Sequence, residues 1–263
     1  MRAAGLALLV PLLALGPLHA QKAKEPPNDP QLSEHLKRLK SLVKDRKMTG
    51  DFTAISLMQK LDKELEKKNS KDKKKIVKAL GGVFTTGKVR EGARDVLYRE
   101  AADLLAKLGE QGGAKALAKS EANKRFDDNV SLRAHLLKAL GKTEDADHID
   151  YLLDVTTRSH IDALRAASGE ALSNFTKAKL RQKREIVEQI IRTWGSLHSD
   201  ATRAVNLDPN EPVDFNPQNA RRILRACEGH WIRTLQKLTG VSQSKFPEWQ
   251  RWLNKNRGWK PPA

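Results

Sequence analysis

The sequence predicts an all-α fold: a right-handed α-solenoid of helical hairpins, closed by a tryptophan-rich C-terminal module. Three observations lead there. Ala, Leu, Lys, Glu and Arg, the strong helix formers, dominate the 263 residues, while aromatic residues make up only 5% and β-branched runs are scarce. Apolar residues recur at helical spacing almost from end to end. Related phrases also repeat: IVKALG at 76–81, LLAKLG at 104–109 and LLKALG at 136–141, with steps of 28 and 32 residues. A period near thirty with two short helices per unit marks a stack of hairpins. Apolar content of 39% against 31% charged suits such a thin array, which keeps much of its surface wet.

The first twenty residues, MRAAGLALLVPLLALGPLHA, carry Arg2, an apolar run from Leu6 to Leu15, the breaker Gly16-Pro17 and a small-residue site at Ala20. That run is too short to span a bilayer and reads as a cleavable secretory signal cut before Gln21. No cysteine follows the cut to carry a lipid, and no later apolar stretch approaches spanning length. An exported chain, periplasmic or extracellular, is expected. Residues 21–30, QKAKEPPNDP, read as a flexible leader. The single cysteine, Cys227, excludes an intramolecular disulfide, so stability must come from packing.

Residues 31–200 carry the predicted helices. Leu32, Leu36, Leu39 and Val43 form one stripe, and Phe52, Ile55, Met58, Leu61 and Leu65 a second. Leu-Gly near the ends of three helices, at 80–81, 108–109 and 140–141, suggests left-handed glycine caps. The clearest hairpins pair helices at about 129–140 and 145–155, then 159–174 and 179–194. Residues 201–218, with three prolines and no periodicity, read as an irregular connection. A capping module follows over 219–256, where Ile223, Leu224, Cys227, Trp231, Leu235 and Leu238 make one stripe ending at Gly240, and 257–263 form a tail.

Leu235-Gln-Lys-Leu238-Thr239-Gly240, a polar spacer, and Pro247-Glu-Trp249-Gln-Arg-Trp252 resemble the closing module of exported bacterial HEAT-repeat proteins. The LRA phrases at 132–134 and 164–166 also look like first helices of HEAT units. A weaker echo at Leu172-Ser-Asn-Phe175-Thr176 has Lys177 where the pattern has glycine. The resemblance covers about 75–256 and implies HEAT-like hairpins and a binding-scaffold role, with no catalytic residues to carry over. Residues 31–74 match no such unit.

Net charge is +17, unevenly spread: residues 21–90 hold 19 basic and 9 acidic side chains, 91–175 hold 12 and 15, and 176–263 hold 17 and 8. A slightly acidic middle argues against a continuous nucleic-acid track. The basic run KKNSKDKKK places Lys67, Lys68, Lys71, Lys73, Lys74 and Lys75 as a candidate partner-binding site for polyanions. A second group comprises Lys177, Lys179, Arg181, Lys183 and Arg184. Neither is interleaved with aromatics, so base stacking is not expected.

Trp231, Leu235, Leu238, Gly240, Trp249 and Trp252 read as a cap covering the last apolar face, with sugar stacking on exposed rings as the competing use. Cys227 and His230 have the spacing of half a metal site, but Cys227 lies in the core stripe and reads as an inert thiol. Asp147, Asp150 and Asp154 share a helical face opposite Ile149, Leu152 and Leu153 and read as its solvated side; the acidic loop 208–214 fits no calcium-loop spacing. No nucleophile elbow, zinc helix or phosphate loop is present. The expectation is a monomeric, non-catalytic scaffold without metal or cofactor, holding a protein or an anionic polymer on a concave surface. The alternatives are a basic nucleic-acid binder and a polysaccharide-binding accessory protein.

Overall fold

The computed structural model describes residues 26–203 and 215–260. The expected signal, the first half of the leader and most of the 201–218 connection, with its acidic loop, lie outside the described residues. Eleven α-helices and six short 3-10 turns make up the described chain, with no strand among these residues. The helices are α1 (Leu32–Lys44), α2 (Asp51–Lys63), α3 (Ser70–Val83), α4 (Val96–Lys107), α5 (Gly113–Glu121) and α6 (Val130–Lys142). They continue as α7 (Ile149–Arg158), α8 (Asp162–Leu172), α9 (Leu180–Thr202), α10 (Asn216–Thr239) and α11 (Phe246–Lys255).

The packing sorts them into files. α2, α4, α6, α8 and α10 each lie against the next even-numbered helix. On the other side α1 packs on α3 and α3 on α5, and further along α7 packs on α9 and α9 on α11. Neighbours in sequence tie the files together at α3/α4, α5/α6, α7/α8 and α9/α10. The expected hairpins of 129–140 with 145–155 and of 159–174 with 179–194 are therefore shifted by one helix: α7 packs on α8 and α9 on α10, while α6/α7 and α8/α9 barely touch. The reason lies in the stripes. α4 buries Leu97, Tyr98, Ala101, Ala102, Leu104, Leu105 and Ala106, a face about half its circumference wide that is shared among α2, α3, α5 and α6. α8 is the same, burying Leu164, Ala167, Ser168, Gly169, Ala171 and Leu172.

Three local expectations change. The recurrent Leu-Gly does not mark left-handed caps: of these glycines, none has a positive φ, and Gly81 and Gly141 lie inside α3 and α6. At 109 and 141 the reason is close approach. A Cβ on Gly109 would stand 2.8 Å from the Thr143 Cβ, and one on Gly141 would stand 2.6 Å from the Ala171 carbonyl oxygen. Gly240 alone acts as the expected left-handed end, at φ 74°. Phe52 is 85% exposed, so the second stripe runs through Ala54, Met58 and Leu61 instead.

The third change concerns the connection. α9 continues two turns past Trp194 to Thr202, and α10 starts at Asn216 with Pro217 in its first turn. The extra turns of α9 have cover that the sequence did not reveal: the Phe246 ring of α11 lies 3.0 Å from where a Gly195 Cβ would sit, and the Arg221 guanidinium of α10 donates to the Ala201 carbonyl at 2.8 Å.

Gly169 shows how tight the even file is, since its missing Cβ leaves the room that the Trp231 ring of α10 occupies, 2.6 Å from the ideal Cβ position. Gly169→Ala is expected to destabilise the protein by about 1–3 kcal/mol through overpacking. Urea unfolding followed by tryptophan fluorescence measures this; an unchanged midpoint would mean that α8 and α10 are not so closely seated.

Candidate functional site

The tryptophan module is built as a cover. Trp194, Trp231 and Trp249 are fully buried and Trp252 is half-buried. Trp194 of α9 meets Trp231 of α10 edge-on at 6.5 Å between centroids and Phe246 of α11 at 5.7 Å. Trp249 packs edge-on against Trp252 at 5.5 Å. Leu235 and Leu238 are buried beside them, and Glu248 fixes the start of α11 by accepting from the Ser244 and Lys245 amides. The expected tail is part of this cover: Trp259 is 7% exposed, lies 5.6 Å from Trp252, and its carbonyl accepts from the Arg184 guanidinium at 2.7 Å. With Trp249 at 0% exposure, a sugar platform formed by Trp249 and Trp252 is not available.

The 67–75 run divides into two parts. Lys68 turns inward and donates to Asp29 at 2.6 Å and Glu64 at 2.9 Å. Asn69 caps α3 through the Asp72 amide while its own amide donates to the Pro26 carbonyl and Asn28. Asp72, fully buried, accepts from the Asp29 amide and from Lys75. The end of the expected flexible leader is therefore fastened to the start of α3 by a polar clasp, and Lys68 and Lys75 serve that clasp. Lys67, Lys71 and Lys74 are exposed and Lys73 half-buried, with no carboxylate partner among the described residues.

The Lys68 hydrogen bonds hold Asp29 and Glu64 below the usual carboxylate range. Burial works against Asp72, yet the Asp29 amide and Lys75 carry its pKa down as well. Burial likewise works against the Lys68 ammonium, and its two carboxylates outweigh it, raising its pKa.

Beside this clasp lies the site that the sequence did not reveal. α1 and α3 leave a groove of about 520 Å³ between them. Leu36, Leu39, Val43, Ala79 and Val83 form its floor; Lys37 and Lys40 stand on the α1 wall and Lys75 and Lys78 on the α3 wall. A second groove of about 390 Å³ separates α3 from α5, shares Lys78 and Gly82 with the first, and adds Lys115 and Lys119. No carboxylate lines either groove. Lys37, Lys40, Lys78, Lys115 and Lys119 are exposed and pair with no acid among the described residues. Their i, i+3 and i, i+4 spacings were visible in the sequence, but the alignment of α1, α3 and α5 that brings them together was not.

The second basic group has a different setting. Lys177 reaches Glu144 at 3.3 Å, Arg184 holds the tail, and Arg181 shares its hollow with Glu185 and Glu188. Lys179 is exposed and Lys183 half-buried. These residues do not form one cationic face. Asp147, Asp150 and Asp154 are exposed, and no group of three metal-ligating side chains occurs among the described residues. His230 lies 2.9 Å from both Glu170 and Arg233.

Two outcomes are expected. Because the clasp carboxyls are depressed, their contribution is complete above the ordinary carboxylate pKa of about 4 and fades as pH falls through their folded values. Lys68→Met should cost on the order of 1 kcal/mol near neutral pH, and its deficit in thermal stability against the unaltered protein should shrink below about pH 4. A deficit independent of pH would place the role of Lys68 in packing. Separately, burial pushes the Cys227 thiol up to about 12, so iodoacetamide should label it only in denaturant; labelling of the folded protein would contradict its burial. In comparisons with protein-family models and with curated proteins, no match to this sequence was found.

Proposed function

We propose that this chain is an exported, non-catalytic binding scaffold, a right-handed α-solenoid of HEAT-like hairpins that engages a protein or an anionic polymer. The observation that carries the reading is the uncompensated row of lysines along α1, α3 and α5. Elsewhere charges meet partners across helices: Lys107 with Asp62, Lys142 with Asp103, Lys138 with Glu170, Arg222 with Asp162. These pairs across helices lie in the even-numbered file, whereas Lys37, Lys40, Lys78, Lys115 and Lys119 gather around two grooves with no carboxylate in their walls, which concentrates an attractive field there.

The resemblance of 235–252 to the closing module of exported HEAT-repeat proteins supports the architecture, as does the two-file packing. The signal-like residues 1–20 support export. For the nucleic-acid alternative, the groove walls offer lysine only, without arginine forks or stacking rings.

The test is a pull-down with the tagged protein from its own envelope fraction, at low and at near-physiological salt. A discrete protein partner retained at the higher salt is the expected result. Recovery of anionic polymer alone, lost as salt rises, would make this a charge-driven surface binder, and an N-terminus still beginning at Met1 in a cytoplasmic pool would remove the export part of the reading.

A further inference from the structure

We infer that the α1/α3 groove is a docking site for an acidic amphipathic helix of a protein partner. This rests on the binding-scaffold reading and names the chemistry of its partner.

The groove has the two parts that such a helix needs. Its floor is aliphatic, with Leu36 and Ala79 half-buried above the more deeply set Leu39, Val43 and Val83. Its walls are cationic on both sides. Lys37 and Lys40 are three residues apart on α1, as Lys75 and Lys78 are on α3, so the two positions on each wall are about 4.5 Å apart along the helix axis. Three of the four ammonium groups are free, since Lys75 is shared with Asp72 of the clasp. A helix lying between α1 and α3 places its apolar stripe on the floor and its flanking positions beside the two walls. Carboxylates at i, i+3 or i, i+4 on those flanks repeat at the same rise as the lysines. Helix-in-groove recognition combines these elements, with apolar anchors for affinity and rim charges for orientation and rate.

Other anions match the groove less well. A single-headed amphiphile neutralises one or two ammonium groups and leaves the others facing one another. A flexible polyanion satisfies the lysines and leaves the aliphatic floor wet. A nucleic acid gains from the lysines but finds no ring to stack on and no arginine for bidentate contact. The second groove, with Lys115 and Lys119 one turn apart on α5, continues the cationic surface beyond Lys78. It gives a partner's acidic residues further contacts without an equal apolar floor.

Gly82 provides a probe of the groove that leaves charge alone. It lies in α3, lines both grooves, has no positive φ, and a Cβ built on it meets nothing within 4 Å. Gly82→Leu therefore fills the groove with no backbone strain and improves the helix propensity of α3.

The experiment is fluorescence anisotropy of the purified protein with a labelled peptide of about 18 residues, long enough for a stable bound helix. The peptide is built from leucine, alanine and glutamate, with leucines on one helical face. A peptide of the same composition with scrambled leucine spacing serves as the control, at near-physiological salt, and far-UV circular dichroism checks the fold of each variant. The amphipathic peptide is expected to bind about tenfold or more tightly than the scrambled one, and Gly82→Leu and the Lys40→Glu/Lys78→Glu pair are each expected to weaken it by about tenfold. Equal binding of both peptides, or binding indifferent to Gly82→Leu, overturns the docked helix. If only heparin or duplex DNA binds and the lysine pair abolishes it, the inference falls while an anion-binding scaffold stands. If no anionic probe binds, both fall.

Discussion

Each even-numbered helix depends for its burial on the next one in the file. α6 can approach α8 because Gly141 offers no side chain to the Ala171 backbone, and α8 can approach α10 because Gly169 yields its place to Trp231. These near-contacts keep leucines such as Leu136, Leu140, Leu164 and Leu172 fully covered. Each such residue contributes about 1.5–3 kcal/mol, whereas an exposed ion pair between neighbouring helices gives about 0–1 kcal/mol. The file is therefore held by packing, and its ladder of surface pairs adjusts charge more than stability. Each helix of the file has an even-numbered neighbour on one or both sides, so what covers the first and last helices matters as much as the middle.

The ends are closed by opposite means. At the C-terminal end large rings cover the last face: Trp194 meets Trp231 and Phe246, Trp249 packs on Trp252, and Trp259 is drawn in by Arg184. At the N-terminal end the closure is polar. Arg90, at 0% exposure, bridges α2 through Asp51, the end of α1 through the Val43 carbonyl, and its own loop through the Lys88 carbonyl. Gly87, at φ 75°, lets that loop pass within reach of the same Val43 oxygen. Every arm of the guanidinium is satisfied, which a buried charge requires. The clasp at Lys68, Asn69 and Asp72 then fastens the incoming chain. Polar closures specify geometry where apolar ones tolerate sliding, so α1 is held at a defined spacing from α3. That spacing makes the groove.

The sequence made the helices legible because hydrophobic period is a local signal. Leu132, Leu136 and Leu140, or Ile223, Cys227 and Trp231, need no knowledge of partners to be read as one face. The tryptophan cap was legible for the same reason, together with the cost of leaving so many rings in water. Readings that depended on a partner failed. Phe52 fits its stripe by spacing and is nonetheless exposed, because none of the described helices lies over that side of α2. The Leu-Gly phrases were given a local cause when their cause is an opposing backbone. The lysine run at 67–75 drew attention as a contiguous block, yet two of its members are consumed by Asp29, Glu64 and Asp72, one of them 43 residues away from its amide donor. The groove lysines are scattered between 37 and 119 and become a surface only when α1, α3 and α5 align.

Charge and shape carry different parts of any recognition at that surface. The free lysines act at a distance, but only over a Debye length of about 8 Å at physiological ionic strength, and they attract every anion alike. Paired charges on the even file add little field of their own, because each acid there lies beside a base on the next helix. Around the α1/α3 groove the attraction is concentrated, because lysines stand on both walls and no carboxylate lines it. Selection among anions must come from what lies below the ammonium groups. The floor of Leu36, Leu39, Val43, Ala79 and Val83 rewards only a ligand that brings apolar surface between its charges. That contribution is insensitive to salt, so raising the ionic strength separates the two: simple polyanions lose nearly all of their binding energy, and a ligand seated on the floor keeps the part that the floor supplies.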